Sequence, residues 1–139
     1  MTDTTHPTWL STVFDTTDAR SLAEFYRELL GYDYRPGDEA PPAGEPDPAD
    51  WLVLVNPAGG TRISFQQVAR VDPPTWPEGP IPQQLHLDLM VGSADELVAQ
   101  RDRVVGLGAT VLRDRFDDPD EPLYVFADPS GHPFCIFVG

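Results

Sequence analysis

Displaced by 75 residues, the chain repeats its own pattern: Leu22 falls on Leu97, Leu29 on Val104, Leu30 on Val105 and Ser11 on His86. Around these positions each half reads strand, helix, strand, hairpin. Self-similarity at a fixed spacing means that one supersecondary unit occurs twice, and it restricts the fold more than any composition can. The expected class is α+β, built from two tandem βαβββ units. Each unit alone leaves one sheet face uncovered. Two side by side are expected to curve into a mixed sheet with a cleft, with the helices on the convex face. All 139 residues then form a single domain, with unit one at about 8–70, a linker at about 71–82 and unit two at about 83–139.

The elements follow from local pattern. Trp9 to Asp15 is rich in β-branched and aromatic residues and reads as a strand. Asp18 is placed as a helix N-cap; Leu22, Phe25, Tyr26, Leu29 and Leu30 form one helical stripe, and Gly31 ends it. Pro36 to Asp50 holds five prolines, two glycines and five acids without periodicity, which predicts a flexible loop, or alternatively a lid. Trp51 to Val55 and Thr61 to Val68 flank the turn Asn56-Pro57-Ala58-Gly59-Gly60 as a hairpin, with Ser64 and Gln66 on one face. Asp72 to Pro82 carries five prolines around Trp76, which is expected to pack down onto the domain. Beyond the linker, Ser93 caps a helix from Ala94 to about Val105, with a stripe of Leu97, Val98, Val104 and Val105, broken by Gly106-Leu107-Gly108-Ala109. Strands follow at Thr110 to Phe116, Leu123 to Ala127 and Phe134 to Val138, the last two joined by the tight turn Asp128-Pro129-Ser130-Gly131.

Candidate chemistry begins at Gln84-Leu85-His86-Leu87-Asp88-Leu89-Met90. Strict alternation predicts a half-buried strand, with the leucines inward and Gln84, His86, Asp88 and Met90 outward. His86 and Asp88, two apart on one strand face, are expected about 6.5–7 Å apart, which suits two groups lining one concavity better than a direct ion pair. Cys135 has no basic neighbour in sequence and reads as a small buried hydrophobe.

Composition narrows the partners. Twenty-three acidic and nine basic residues give a net charge of −14, which repels nucleic acid and anionic membrane surfaces. No apolar run approaches the ~20 residues that span a bilayer, and the N-terminus lacks the pattern of a signal peptide, so a cytoplasmic location is expected. The single cysteine agrees with a reducing compartment.

The Ala19 to Gly31 helix with its Phe25-Tyr26 pair, the His86-Leu87-Asp88-Leu89 strand, the Leu107-Gly108-Ala109 turn and the closing Asp128-Pro129-Ser130-Gly131-His132-Pro133-Phe134-Cys135 together resemble the vicinal oxygen chelate superfamily. That superfamily includes glyoxalase I, bleomycin-resistance proteins and extradiol dioxygenases, and the resemblance is nearest to its small bacterial glyoxalase-like members. It implies metal positions at Ser11, Gln66, His86 and Cys135, where the enzymes usually carry His or Gln, Glu, His and Glu. Only His86 conforms. The resemblance then favours the metal-free branch, whose members bind antibiotics or metabolites. The expected ligand-binding set is Ser11, Trp51, Gln66, His86, Asp88, Tyr124, Cys135 and Phe137, with no cofactor and with a homodimer as the default assembly. Alternatives are a divalent-metal lyase, isomerase or dioxygenase with His86, Cys135 and Gln66 as ligands, and a metal-free enzyme with His86 as general base. A pure protein-interaction module is the third class.

Overall fold

The computed structural model describes residues 6–139. The chain divides into two compact units, Met1–Ala69 and Arg70–Gly139. In the first, β1 (Ser11–Thr16), α1 (Ala19–Leu30), β2 (Asp33–Tyr34), β3 (Trp51–Val55) and β4 (Arg62–Gln67) form a mixed sheet of order β1-β4-β3-β2. In the second, β5 (Leu87–Val91), α2 (Ala94–Leu107), β6 (Thr110–Arg115), β7 (Leu123–Ala127) and β8 (Pro133–Val138) form a sheet of order β5-β8-β7-β6. Each unit pairs its first and last strands in parallel and the rest antiparallel. The expected tandem βαβββ architecture is therefore present, as two four-stranded mixed sheets that are not closed.

Both helices begin and end as their caps dictate. The Asp18 carboxylate accepts from Ser21 N at 3.1 Å, and Gly31, at φ 70°, takes the left-handed position that only glycine adopts cheaply. Ser93 Oγ accepts from Glu96 N at 3.2 Å, while Glu96 reaches back to Gly92 N at 2.7 Å. α2 passes through Gly106, however, and stops at Gly108, whose φ is 117°. A glycine facing solvent weakens a helix without breaking it, so α2 runs two residues past the expected end at Val105, and the left-handed stop, Gly108, falls within the expected break. Val105, expected in the apolar stripe, is exposed, whereas Leu97 and Val104 are fully buried.

Each core lies between a sheet and its own helix. In unit 1, Phe14, Tyr26 and Phe65 meet under α1, Tyr26 edge-on to Phe14 at 5.3 Å and stacked on Phe65 at 5.8 Å. In unit 2, Phe126 stacks on Phe134 at 5.1 Å. Trp76 packs onto unit 2 as expected, its ring 5.0 Å from the Arg113 guanidinium.

Three sequence expectations change. The segment 36–50 is not a free excursion. Arg20, on α1, donates to Asp47 Oδ2 at 2.6 Å and to the Asp38 carbonyl at 2.7 Å, and Asp38 Oδ2 accepts from Val53 N at 2.9 Å. Strand β5 begins only at Leu87, so Leu85 is exposed rather than inward-facing. Finally, sheet register pairs Phe14 with Phe65 and Leu87 with Phe134, which makes Val13, not Ser11, the counterpart of His86. The shift of 75 residues holds for the helix caps Asp18 and Ser93, but the matching register positions, Phe14 and Leu87, lie four residues before the cap in unit 1 and six in unit 2.

Candidate functional site

The alternation of a strand sends every second side chain to the sheet face opposite the helix, and in each unit that face collects the polar candidates. On unit 1, Ser11, Val13, Trp51, Val53, Arg62, Ser64 and Gln66 share it by register. A cavity of about 380 Å³ lies on this face, walled by Trp9, Leu10, Val13, Trp51 and Val53. Thr8, Arg35, Arg62, Ser11 and Ser64 complete its lining. The Ser11 and Ser64 hydroxyls are bonded to each other at 2.6 Å. Trp9 and Trp51 remain 70% and 40% exposed, large aromatic area that a soluble surface rarely shows side by side without a use.

Gln66 is exposed beside Trp51, its partner in register, but is not part of the cavity wall. Sequence reasoning passed over Arg62, although the period of two that selects Ser64 and Gln66 selects Arg62 as well. Trp9 and Leu10, expected within the first strand, precede it, since β1 begins at Ser11.

On unit 2 the same face carries Asp88 and Cys135, direct partners across the parallel β5–β8 pair. His86 lies just before β5. Freed from strand alternation, it brings Nε2 to 3.2 Å from Asp88 Oδ1, a direct contact where a separated pair was expected. One donor atom from each of His86, Asp88 and Cys135 lies within 4.8 Å of the other two. Burial, and then the negative charge of Asp88, push the Cys135 thiol up to about 11. It is thus held protonated at neutral pH and is a poor nucleophile. Stability linked to this thiol is retained below its ordinary 9.0 and lost as pH rises through about 11.

Phe137 follows Cys135 by two on the same strand face and is half-buried. Tyr124 goes the other way. It sits on the helix side of the sheet, fully buried, its hydroxyl accepting from Arg101 of α2 at 3.3 Å, and so is a core residue instead of a wall of the binding face. Asp88 was expected to line the pocket but not to act as a metal donor; its pairing with Cys135 depends on register, which no local pattern reveals. In unit 1 the corresponding positions are Val13, Asp15 and Gln66, and the trio of His, carboxylate and thiol is not duplicated.

Residues 11–137 match the model of the glyoxalase-like domain, and the chain belongs to that family. Its fold is that of the glyoxalase, bleomycin-resistance and dioxygenase group, the vicinal oxygen chelate superfamily. It is similar to a glyoxalase/bleomycin resistance protein/dioxygenase family enzyme from Burkholderia phytofirmans PsJN, with a TM-score of 0.64, 15% identity, and 92% of this chain and 95% of that one covered. It is similar also to the fosfomycin resistance protein FosX from Mesorhizobium loti, with a TM-score of 0.63, 13% identity, and coverage of 97% and 92%. A lactoylglutathione lyase from Agrobacterium tumefaciens gives a TM-score of 0.59, 15% identity, and coverage of 97% and 96%. Identities this low establish the shared fold alone. No curated protein matches the sequence.

Proposed function

We propose that the protein binds a small organic molecule on the helix-free face of unit 1, and that this binding requires no metal. The observation that supports it is the cavity of about 380 Å³ with two tryptophans, aliphatic walls and a few convergent polar groups. Pockets of ~300–1,000 Å³ with that lining hold metabolite-sized ligands. Trp9 and Trp51 supply flat apolar area, and the Ser11–Ser64 pair offers a hydroxyl to orient the ligand.

The expected result of a thermal-shift screen of metabolites and antibiotics is at least one compound that raises the melting temperature, in the presence of EDTA as in its absence. Trp51→Ala should weaken that compound on the order of tenfold or more, as measured by calorimetry, because the ring forms a wall of the cavity. Binding abolished by EDTA, or unchanged in Trp51→Ala, would count against this reading.

A second reading rests on the trio in unit 2. An imidazole, a carboxylate and a thiol fit a thiophilic divalent cation such as zinc, and three protein donors are the usual complement of a catalytic zinc site. His86, Asp88 and Cys135 would hold the ion, with Cys135 giving up its proton on loading. When bound, such an ion supplies Lewis-acid polarisation of a substrate oxygen. Elemental mass spectrometry after incubation with Zn²⁺ and desalting is expected to give a metal-to-protein ratio near one, rising with pH. The ratio should fall in both His86→Ala and Cys135→Ala; a ratio near zero would dispose of this second reading.

A further inference from the structure

We propose that the ligand of the unit 1 cavity is an organic anion, a flat apolar body bearing a carboxylate, and that Arg62 receives its charge. This rests on the binding reading above and names the class of ligand.

All nine cationic side chains are arginines, set against 23 carboxylates. With acids in such excess, a guanidinium on the surface ordinarily finds one. Arg20, Arg27, Arg35, Arg70, Arg101 and Arg115 each contact a carboxylate oxygen at 3.1 Å or less. Arg113 lies over the ring of Trp76, and Arg103 donates to Gln100 Oε1 at 3.1 Å. Arg62 is the exception: among the described residues its guanidinium makes no hydrogen bond, ion pair or ring contact, and its backbone N–H donates to the Leu10 carbonyl at 3.0 Å.

Arg62 is half-buried and lines the cavity. A cation in a cavity lining, with no protein carboxylate paired to it, leaves five N–H donors in a planar fork. Carboxylates satisfy such a fork through two parallel hydrogen bonds. Arg35, the other cation in the lining, is already neutralised by Asp38 at 3.1 Å, so the unbalanced positive charge of the cavity is that of Arg62. The apolar walls on the same face provide for the remainder of the molecule. The net charge of −14 slows approach of an anion without opposing a short-range bidentate contact, since screening confines the long-range field to about 10 Å at 0.1 M salt.

Three probes with one ring system separate charge from apolar contact: 1-naphthoate, 1-naphthylmethanol and 1-naphthylmethylamine. Their binding is followed by quenching of tryptophan fluorescence in the wild type, Arg62→Gln and Trp51→Ala. The expected order is naphthoate at least tenfold tighter than the alcohol, with the amine weakest. Arg62→Gln should weaken the acid at least tenfold more than it weakens the alcohol, and a circular dichroism spectrum like that of the wild type shows that the variant is folded. Trp51→Ala should weaken both. Equal binding of acid and alcohol, both reduced in Trp51→Ala, would overturn the anion proposal and leave the cavity as a binding site. Failure of all three probes to bind would overturn the proposal and the binding reading together.

Discussion

Phe65→Ala is expected to lower the unfolding free energy by about 3–5 kcal/mol, the range for removing a large aromatic from a packed interior. Phe65 is fully buried at the centre of the unit 1 sheet, paired with Phe14 on one side and Leu52 on the other. Its ring stacks on Tyr26 at 5.8 Å and meets Phe14 edge-on at 6.0 Å. Alanine would leave these two aromatics, one on β1 and one on α1, facing a void that a β-sheet cannot close, because the hydrogen-bonded ladder fixes strand spacing. Domains of this size have only about 5–15 kcal/mol of total stability, so the variant should unfold at far lower urea concentration. Urea titration followed by circular dichroism measures it. A loss below ~1 kcal/mol would mean that the Phe14, Tyr26 and Phe65 cluster is not a close-packed core.

Gly131→Ala is expected to cost about 2–5 kcal/mol by a different route, summing a left-handed backbone penalty of ~1–2 with an overpacking cost of ~1–3. Gly131 has φ 94°, and a Cβ built there would lie 2.6 Å from the Pro73 Cβ. The turn that holds it is dense. Gly131 N donates to the Asp128 carbonyl at 2.8 Å, and the buried Asp128 side chain accepts from Ser130 N at 2.8 Å and from His132 N at 3.0 Å. This turn sets the β7–β8 register, Ala127 against Pro133, and so brings Cys135 opposite Asp88. Strain introduced there should therefore be read in two ways. The urea midpoint falls, and alkylation of Cys135 by iodoacetamide accelerates as burial, the main cause of its raised pKa, is relaxed. Wild-type stability in Gly131→Ala would show that Pro73 does not abut the turn as described.

These two residues also show how unevenly local pattern speaks. The turn at Asp128-Pro129-Ser130-Gly131 is legible because it depends on conformational preferences of single residues, as are Asp18, Ser93 and Gly31 at the helix ends. Phe65 is legible as inward-facing from its alternation with Ser64 and Gln66, and Phe134 occupies the like position beside the first strand of the second sheet. Where a preference is shared between neighbours, pattern misleads by a residue or two. The run Gly106-Leu107-Gly108-Ala109 marks a helix stop without saying which glycine makes it, and Gly108 has the left-handed backbone; Leu85 continues an alternation, yet no strand partner is there to bury it.

By itself the sequence determined the class of fold, the duplicated unit, the position of both helices and which side of most strands faces inward. These rest on short-range periodicity and on caps and turns of a few residues. Tertiary structure alone decided which side chains meet. The contact of His86 with Asp88, the pairing of Asp88 with Cys135, the tie from Arg20 to the 36–50 segment and the isolation of Arg62 from every described carboxylate all join residues through sheet register or across loops. A shift of one residue in a parallel pair would reverse the face of each group without altering the hydrophobic pattern of either strand by more than its ends. The alternation in sequence therefore specifies that a polar face exists, and only the register selects which polar groups converge on it.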